Sequence, residues 1–533
     1  MNRFALINKT SIILNILKFI LFLNLLSGLL HAADQRPNLL VLLSDDQRAD
    51  TLGCYKPDRP LPTPNFDKLA ADGIRFTNGF VTTPICAVSR ASILTGRYAS
   101  STGMTRFRSV LEGDVLENSY NMVLQNAGYY TGVLGKYGVR ASKETIARYD
   151  FFDGSQEQGP MFRDYNGKKL HDSEWLTQRT ADFLDSVPEG EPFCLQVNYK
   201  APHASSCPAP EDDQLLDDYT FERHPLDNPK AAALIPDFVR GSFLDVCYRK
   251  AFNPGGDHNP FARQYYEKVA SMERSVGHIR AMLEERGLAD NTVIIFLSDH
   301  GAHFGDKHLY GKWSPYEPSL HIPFIVYDPR PGARKGVVSD KIVLNIDVAP
   351  TLLDLAGVEI PEVMDGVSLR PLIAPHSRFA SGEWRDHFFF EHYHSGAQGK
   401  YIARNEGIRT TAAKYLRWVD PPEPIEEVYD LSKDPGELNN LINLPNEEAR
   451  VAALRQRFDN WRRAHPANYT ADPYGRWATF NAPEIDWERF KKTHPKEYEK
   501  IAKQVDRLGV TWEQALDDWE VRRKIWKAVK YYY

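Results

Sequence analysis

Two apolar runs in this sequence end in acids. "NLLVLLSDDQ" closes on Asp45 and Asp46, and "NTVIIFLSDHG" closes on Asp299 and His300. Carboxylates crowded at one place repel each other unless a cation neutralises them, and three of them suit a hard divalent ion such as calcium or magnesium. The imidazole of His300 also admits manganese. A single Asp after a strand is an ordinary turn starter. Its repetition on two runs is what points to a cation.

A second constellation lies in "PICAVSRASILTG", where Cys86 stands four residues ahead of Arg90 at the start of a predicted helix. The field of a helix N-terminus favours an anion there. Cys86 can be a small buried residue, a reactive thiolate, or the precursor of another group. A thiolate matches a hard cation poorly, and an oxygen nucleophile suits it better.

These residues need elements to hold them. Both acid-tipped runs read as buried parallel strands, and "YTGVLGK" and "PFCLQVNYKAPH" as two more. "TPNFDKLAADG", "NSYNMVLQNAGY", "SEWLTQRTADFLDSV" and "RQYYEKVASMERSVGHIRAMLEERG" read as amphipathic helices between them. Strand–helix alternation predicts an α/β fold, a large sheet covered by helices on both faces, with ligands at the strand carboxyl ends. Residues 204–258 read as a long surface insertion, and "HIPFIVYDP" and "VLNIDVAPTLLDLAG" continue the α/β pattern. From about 376, "RDHFFFEHYH", "GIRTTAAKYLRWV" and "EEVYDL" read as strands of a smaller antiparallel sheet, closed by a helix over "NEEARVAALRQRFDNWRRAH". The predicted division is 34–375, 376–470 and a helical extension over 471–533. In that extension Thr511 and Gln514 have capping-box spacing ahead of a stripe of Trp512, Trp519 and Trp526. The stripe reads as a docking face, with carbohydrate stacking as the alternative.

The 533 residues carry a net charge of −6 with both signs interspersed, so nothing argues for nucleic acid. Residues 1–33 read as a secretory signal: Arg3 and Lys9, an apolar run, then "HAA". An uncleaved membrane anchor is the competing reading of the same run. Once the signal is cut, no membrane insertion is expected. Five cysteines leave an odd one in an exported chain, and Cys207 with Cys247 is the expected pair.

"CAVSRASILTGR" resembles the signature of the type I sulfatases, members of the alkaline phosphatase superfamily. "LLSDDQRADTLGCY", "GKYG", "YKAPH" and "SDHGAHFGDKHLYGK" are similar to that family's metal and lysine motifs, in the same order. "MDGVSLRPLI" and "VYDLSKDPGELNNL" resemble its domain junction and C-terminal sheet exit. The resemblance implies an alkaline-phosphatase-like sheet and a hydrolase of sulfate esters on sulfated sugars, acting at a monosaccharide or chain end. It implies that Cys86 becomes formylglycine, made by a formylglycine-generating enzyme. Asp45, Asp46, Asp299, His300 and the modified Cys86 would hold one divalent cation, calcium in most members. Arg90, Lys136 and Lys312 would face the sulfate, and His203 with Lys312 would protonate the leaving alcohol. Glu391, His392 and Arg404 are the expected sugar contacts on the C-terminal sheet. The "AVSR" form and the insertion imply a bacterial glycan degrader, periplasmic or secreted.

Two positions depart from the family pattern. Val88 stands where proline or alanine is usual, and Gly138 where many members carry a histidine. His303, His308 or His392 could take that histidine's place. Ser155 lies near the region where some relatives place a sulfate-contacting serine. Two other readings stay open: a phosphonate or phosphate ester hydrolase of the same superfamily, and a glycan-binding homologue with unmodified Cys86.

Overall fold

The computed structural model describes residues 36–252, 256–374, 384–394, 402–421, 423–466, 491–492 and 495–511. The signal segment and the tryptophan stripe lie outside the described residues. Among the described residues no helix is long and apolar enough to cross a membrane.

The main sheet has eight strands: β1 (Asn38–Asp45), β2 (Ile74–Phe80), β3 (Tyr130–Lys136), β4 (Phe151–Ser155), β5 (Phe193–Pro202), β6 (Thr292–Ser298), β7 (Phe324–Tyr327) and β8 (Val337–Leu344). Their order is β8-β2-β7-β6-β1-β5-β3-β4. Both acid-tipped runs are neighbours, with β1 parallel to β6 on one side and β5 on the other. Only β7 runs against its partners, so the sheet is mixed, and the other seven strands bring their carboxyl ends to one edge.

Alternation within β1 shows why this strand is central. Leu39, Val41 and Leu43 enter one buried cluster and Leu40 and Leu42 the other, so both faces are covered. Helices α1 (Pro64–Asp72), α3 (Asp172–Ser186) and α4 (Asn259–Glu285) pack on the Leu40 side, through Phe66, Trp175, Phe183 and Val276. Helices α2 (Cys86–Thr95) and α5 (Val348–Leu355) pack on the other, through Val88, Leu94 and Leu352.

The smaller sheet is an antiparallel meander of β9 (His387–His392), β10 (Asn405–Thr410), β11 (Ala413–Trp418) and β12 (Ile425–Asp430). Helix α6 (Glu448–Ala464) covers one face with Val451, Leu454 and Phe458. The other face joins the main core, where Phe388 stacks on Phe80 with ring centres 4.9 Å apart.

Two expectations are corrected. Residues 204–258 are not merely a surface insertion: short helices at Pro229–Ala232, Asp237–Arg240 and Phe243–Phe252 bury Ile235, Val239 and Leu244 in the main core. Cys207 and Cys247 are not joined in a disulfide. The packing keeps them in different places. Cys247 lies against the Tyr248, Phe252 and Tyr310 cluster, whereas the Cys207 carbonyl accepts a hydrogen bond from His171 ahead of α3.

Candidate active site

The carboxyl ends of β6, β1, β5 and β3 lie side by side, and each carries a residue of the site. Asp45 is the last residue of β1. Asp46 takes a left-handed conformation (φ 67°), which for a non-glycine residue costs about 1–3 kcal/mol. Its N–H donates to Asp299 Oδ1 at 3.2 Å, and the Tyr265 hydroxyl on α4 donates to its carbonyl at 2.8 Å. The end of β6 is pinned too, since Ser298 Oγ donates to the His300 carbonyl and accepts the Gln47 N–H.

Cys86 opens α2, whose ten residues are all buried. Arg90 is one turn further along and wholly buried. Its Nε donates to Asp299 Oδ2 at 2.8 Å and its Nη1 to Asn198 Oδ1 at 3.2 Å on β5 and to the Lys136 carbonyl. Lys136 ends β3 and donates to Asp45 Oδ2. Lys312 donates to Asp46 Oδ1, and its Nζ lies 3.1 Å from Cys86 Sγ. His300 Nε2 lies 3.4 Å from the same sulfur and 3.2 Å from Asp46 Oδ1, while His300 Nδ1 donates to the Gly301 carbonyl at 2.9 Å. His203, just past β5, sets its Nε2 3.8 Å from Asp46 Oδ2.

The charges of these groups support one another. Burial by itself raises the pKa of Asp45, but Lys136, with His203, Lys312 and Arg90, outweighs it and holds the carboxyl well below its usual range. Lys312 does the same for Asp46. Burial also raises the Cys86 thiol, and Lys136 and Lys312 bring it below its ordinary value. Burial works against a charged His300, yet Asp299, Asp46 and Cys86 lift it to about 9. A cation among these carboxylates would supply positive charge in place of that proton and leave His300 neutral to bind it. Burial lowers His203 to about 4, which leaves its ring neutral at pH 7.

All nine residues expected at the centre, counted once each, therefore meet at one sheet edge: Asp45, Asp46, Cys86, Arg90, Lys136, His203, Asp299, His300 and Lys312. The expected sugar contacts do not join them. Glu391 is fully buried, with Oε1 accepting the Ser100 N–H at 2.7 Å and Oε2 accepting from Arg462 at 3.2 Å. Arg404 is buried against Asp420, which takes both its backbone N–H and its guanidinium. Glu391 ties the smaller sheet to the Ser100 segment and to α6, and Arg404 ties the start of β10 to the chain just past β11. His392 is buried and stacked near Trp313, the residue after Lys312, with ring centres 6.0 Å apart.

Two of the candidate substitutes for a histidine at 138, His303 and His308, are engaged elsewhere. His303 is hydrogen-bonded to Asp306 and Ser314, and His308 stacks on Tyr248 with ring centres 4.8 Å apart. Position 138 itself has φ 72°, and a Cβ there would lie 2.7 Å from Arg90 Cδ. Only glycine lets the backbone pass so close to the arginine. Ser155 spends its hydroxyl on the Glu157 carbonyl, 2.8 Å away. Sequence reasoning missed Gln158, whose Nε2 donates to Asp45 Oδ2 at 3.3 Å. A glutamine in a polar loop carries no signal of that role.

A family profile described as Sulfatase matches residues 37–358. The chain belongs to the sulfatase family. It is a sulfuric ester hydrolase, and its two sheets have the arrangement of sulfatase structures. A second profile, N-sulphoglucosamine sulphohydrolase, C-terminal, matches residues 305–464. An N-acetylglucosamine-6-O-sulfatase of Bacteroides thetaiotaomicron is 27% identical, over 81% of this chain and 88% of that protein. An arylsulfatase of Clostridium perfringens is 28% identical, over 79% of this chain and 93% of its own length. The solved structure of BT4656 in complex with its substrate D-glucosamine-2-N,6-O-disulfate superposes with a TM-score of 0.70 at 25% identity, covering 82% of this chain and 99% of that one.

The sulfatase site fits a divalent cation. Donor atoms of Asp45, Asp46, Cys86 and His300 all lie within 4.8 Å of one another. Asp299 is next to them, 3.3 Å from His300 Nε2. Asp45 Oδ1 and Arg90 Nη2 are buried without a hydrogen-bond partner, and such orphaned charged groups are costly unless a ligand meets them.

Proposed function

We propose that this sulfatase removes sulfate from a sulfated sugar, at a monosaccharide or chain end, using formylglycine made from Cys86 and one divalent cation, calcium before others. The observation that carries this reading is the convergence on Cys86 Sγ of Lys312 Nζ at 3.1 Å and His300 Nε2 at 3.4 Å, within the cluster formed with Asp45 and Asp46. Sγ marks the place of the formylglycine oxygen. An N-acetylglucosamine-6-O-sulfatase and a D-glucosamine-2-N,6-O-disulfate complex among the relatives support an amino sugar, so glucosamine sulfates are the first substrates to assay.

The modified residue would supply an oxygen nucleophile and the cation a positive charge against the sulfate oxygens. Asp45, Asp46, Asp299 and His300 would hold the cation. Those three carboxylates are matched by Arg90, Lys136 and Lys312, so a divalent ion leaves an excess of positive charge to draw in a sulfate ester. Lys136 and Lys312 carry ammonium groups on rotatable stems, which could exchange the carboxylates for the sulfate oxygens. Arg90, fixed by Asp299 and Asn198, cannot turn and keeps Nη2 free.

The leaving sugar oxygen needs a proton. His203 Nδ1 accepts the Ser205 N–H at 3.1 Å, which leaves the ring proton on Nε2, the nitrogen facing Asp46. With the ring neutral, that Nε2–H would hydrogen-bond the leaving oxygen, and the Lys312 ammonium beside it would deliver the proton. With glycine at 138, Lys312 is the group placed to exchange a proton at residue 86.

Cys86 is 6% exposed inside a fully buried helix, so the formylglycine-generating enzyme would act on the unfolded chain. Segment 1–33 would route that chain out of the cytoplasm, to a periplasm or the medium.

The test has two parts. Mass spectrometry of the tryptic peptide 76–90 from protein made in its own host should show the formylglycine mass, and an unshifted cysteine would overturn the catalytic reading. Parallel assays should show turnover of nitrophenyl sulfate and a glucosamine sulfate, and preference for a nitrophenyl phosphonate would overturn the sulfate reading.

A further inference from the structure

Gln158 lies on the loop that leaves β4. Its Nε2 donates to Asp45 Oδ2 at 3.3 Å, and its Oε1 is buried with no hydrogen-bond partner. The loop is built to aim it. Ser155 Oγ donates to the Glu157 carbonyl, Gln156 Nε2 donates to the Ala141 carbonyl at 2.8 Å, and Lys200 Nζ donates to the Pro160 carbonyl. Lys200 is itself buried and fixed by Asp172, 2.8 Å away. Gly159 takes φ 65°, where a Cβ would lie 3.0 Å from Ser155 Oγ, so the turn after Gln158 requires glycine.

Asp45 therefore receives two donors, Lys136 and Gln158, and both reach the same oxygen, Oδ2. Oδ1 is left buried and unpartnered, on a carboxylate that has an oxygen within 4.8 Å of donor atoms of Asp46, Cys86 and His300. The two donors differ in kind. Lys136 cancels the charge of the carboxylate and is an ammonium that the sulfate would compete for. An amide N–H holds the carboxylate without cancelling its charge and has no reason to leave.

We infer that Gln158 is a positioning residue of the cation centre: it holds Asp45 by Oδ2 so that Oδ1 stays turned to the cation when Lys136 turns to the sulfate. The inference rests on the cation reading above. Groups that orient metal ligands in this way typically change affinity about 10- to 100-fold when removed.

The experiment is a calcium titration of the full chain by calorimetry after chelator treatment, on wild type, Gln158→Met and Glu157→Gln. Gln158→Met keeps the length of the side chain and removes the donor, and it should weaken calcium binding about 10- to 100-fold at an unchanged melting temperature of the metal-free protein. Its sulfatase activity should fall at low calcium and recover as calcium is raised. Glu157→Gln, one residue away and exposed, should bind calcium within about twofold of wild type. If Gln158→Met misfolds, Gln158→Asn, one methylene short, should show the same loss of affinity. Equal affinity in the Gln158 variant and wild type would overturn the inference while leaving the cation reading intact. Equal weakening in Glu157→Gln would overturn it by assigning the effect to loop charge. A wild-type protein that takes up no cation would overturn both.

Discussion

Lys312 bridges Cys86 and Asp46: its Nζ lies 3.1 Å from the sulfur and donates to Asp46 Oδ1. The side chain is tied to β1 through Asp46 and to α2 through Cys86, so it sits between the proposed nucleophile and the proposed cation. Burial works against its charge, but Asp46, Cys86, Asp45 and Asp299 raise its pKa well above the ordinary value, and it stays an ammonium. The residue that follows, Trp313, holds φ 79°, so the backbone is strained where it presents this lysine.

Lys312→Met should therefore cost catalysis and not folding. Losing one preorganised donor at a developing anion typically costs about 10²–10³ in kcat. Steady-state kinetics on nitrophenyl sulfate should show that loss, with the mass of peptide 76–90 unchanged from wild type. A kcat within about threefold of wild type would remove Lys312 from the reacting centre.

Gly138→His should not restore a family feature. A Cβ at this position would lie 2.7 Å from Arg90 Cδ and would be strained at φ 72°. The arginine is wholly buried and bonded to Asp299, so it has little room to yield. The variant should lose about 1–3 kcal/mol of stability, and activity with it, by displacing Arg90. Urea unfolding of Gly138→Ala and Gly138→His checks this, and a stable, more active histidine variant would contradict it.

The centre was legible from the sequence because its residues sit where period and punctuation are strongest. Asp45 and Asp299 end apolar strands, Cys86 opens a helix, and neighbouring parallel strands must bring their ends together. Glu391 and Arg404 were misread because a strand pattern shows which residues alternate, not which partner meets a charged one. Arg462, some seventy residues away on α6, and Asp420 beyond β11 neutralise them, and nothing local announces either pairing. Gln158 was invisible for a related reason. Its role follows from a loop conformation that Lys200, on β5, fixes from a distance.

Glu391→Gln tests that correction. Glu391 accepts from Ser100 N–H and Arg462, and Arg462 also pairs with Glu406 at 2.9 Å. Removing one charge from this buried set should cost about 1–3 kcal/mol of stability, less than the full loss of an ion pair because Glu406 still holds Arg462. KM for a sulfated glucosamine should stay near wild type in denaturation-resistant conditions such as low temperature. A large KM rise without destabilisation would return Glu391 to the sugar site.

Glu273 gives the fold a pH dependence of its own. This α4 carboxylate accepts the Phe66 N–H at 3.1 Å and the Asn65 N–H at the start of α1. Burial pushes its pKa up to about 7, and those hydrogen bonds offset only part of the rise. A carboxyl whose pKa is higher in the folded chain binds more protons there than in the unfolded chain. Its stabilising contribution is full below the unfolded value of about 4.5 and is lost as pH rises through 7. Glu273→Gln cannot titrate, so its stability relative to wild type should improve between pH 5 and pH 8, by at most about 3 kcal/mol. The change in that difference with pH isolates the proton from the hydrogen bond that the amide cannot make. Parallel slopes for the two proteins in urea unfolding across this range would show that Glu273 ionises normally in the fold.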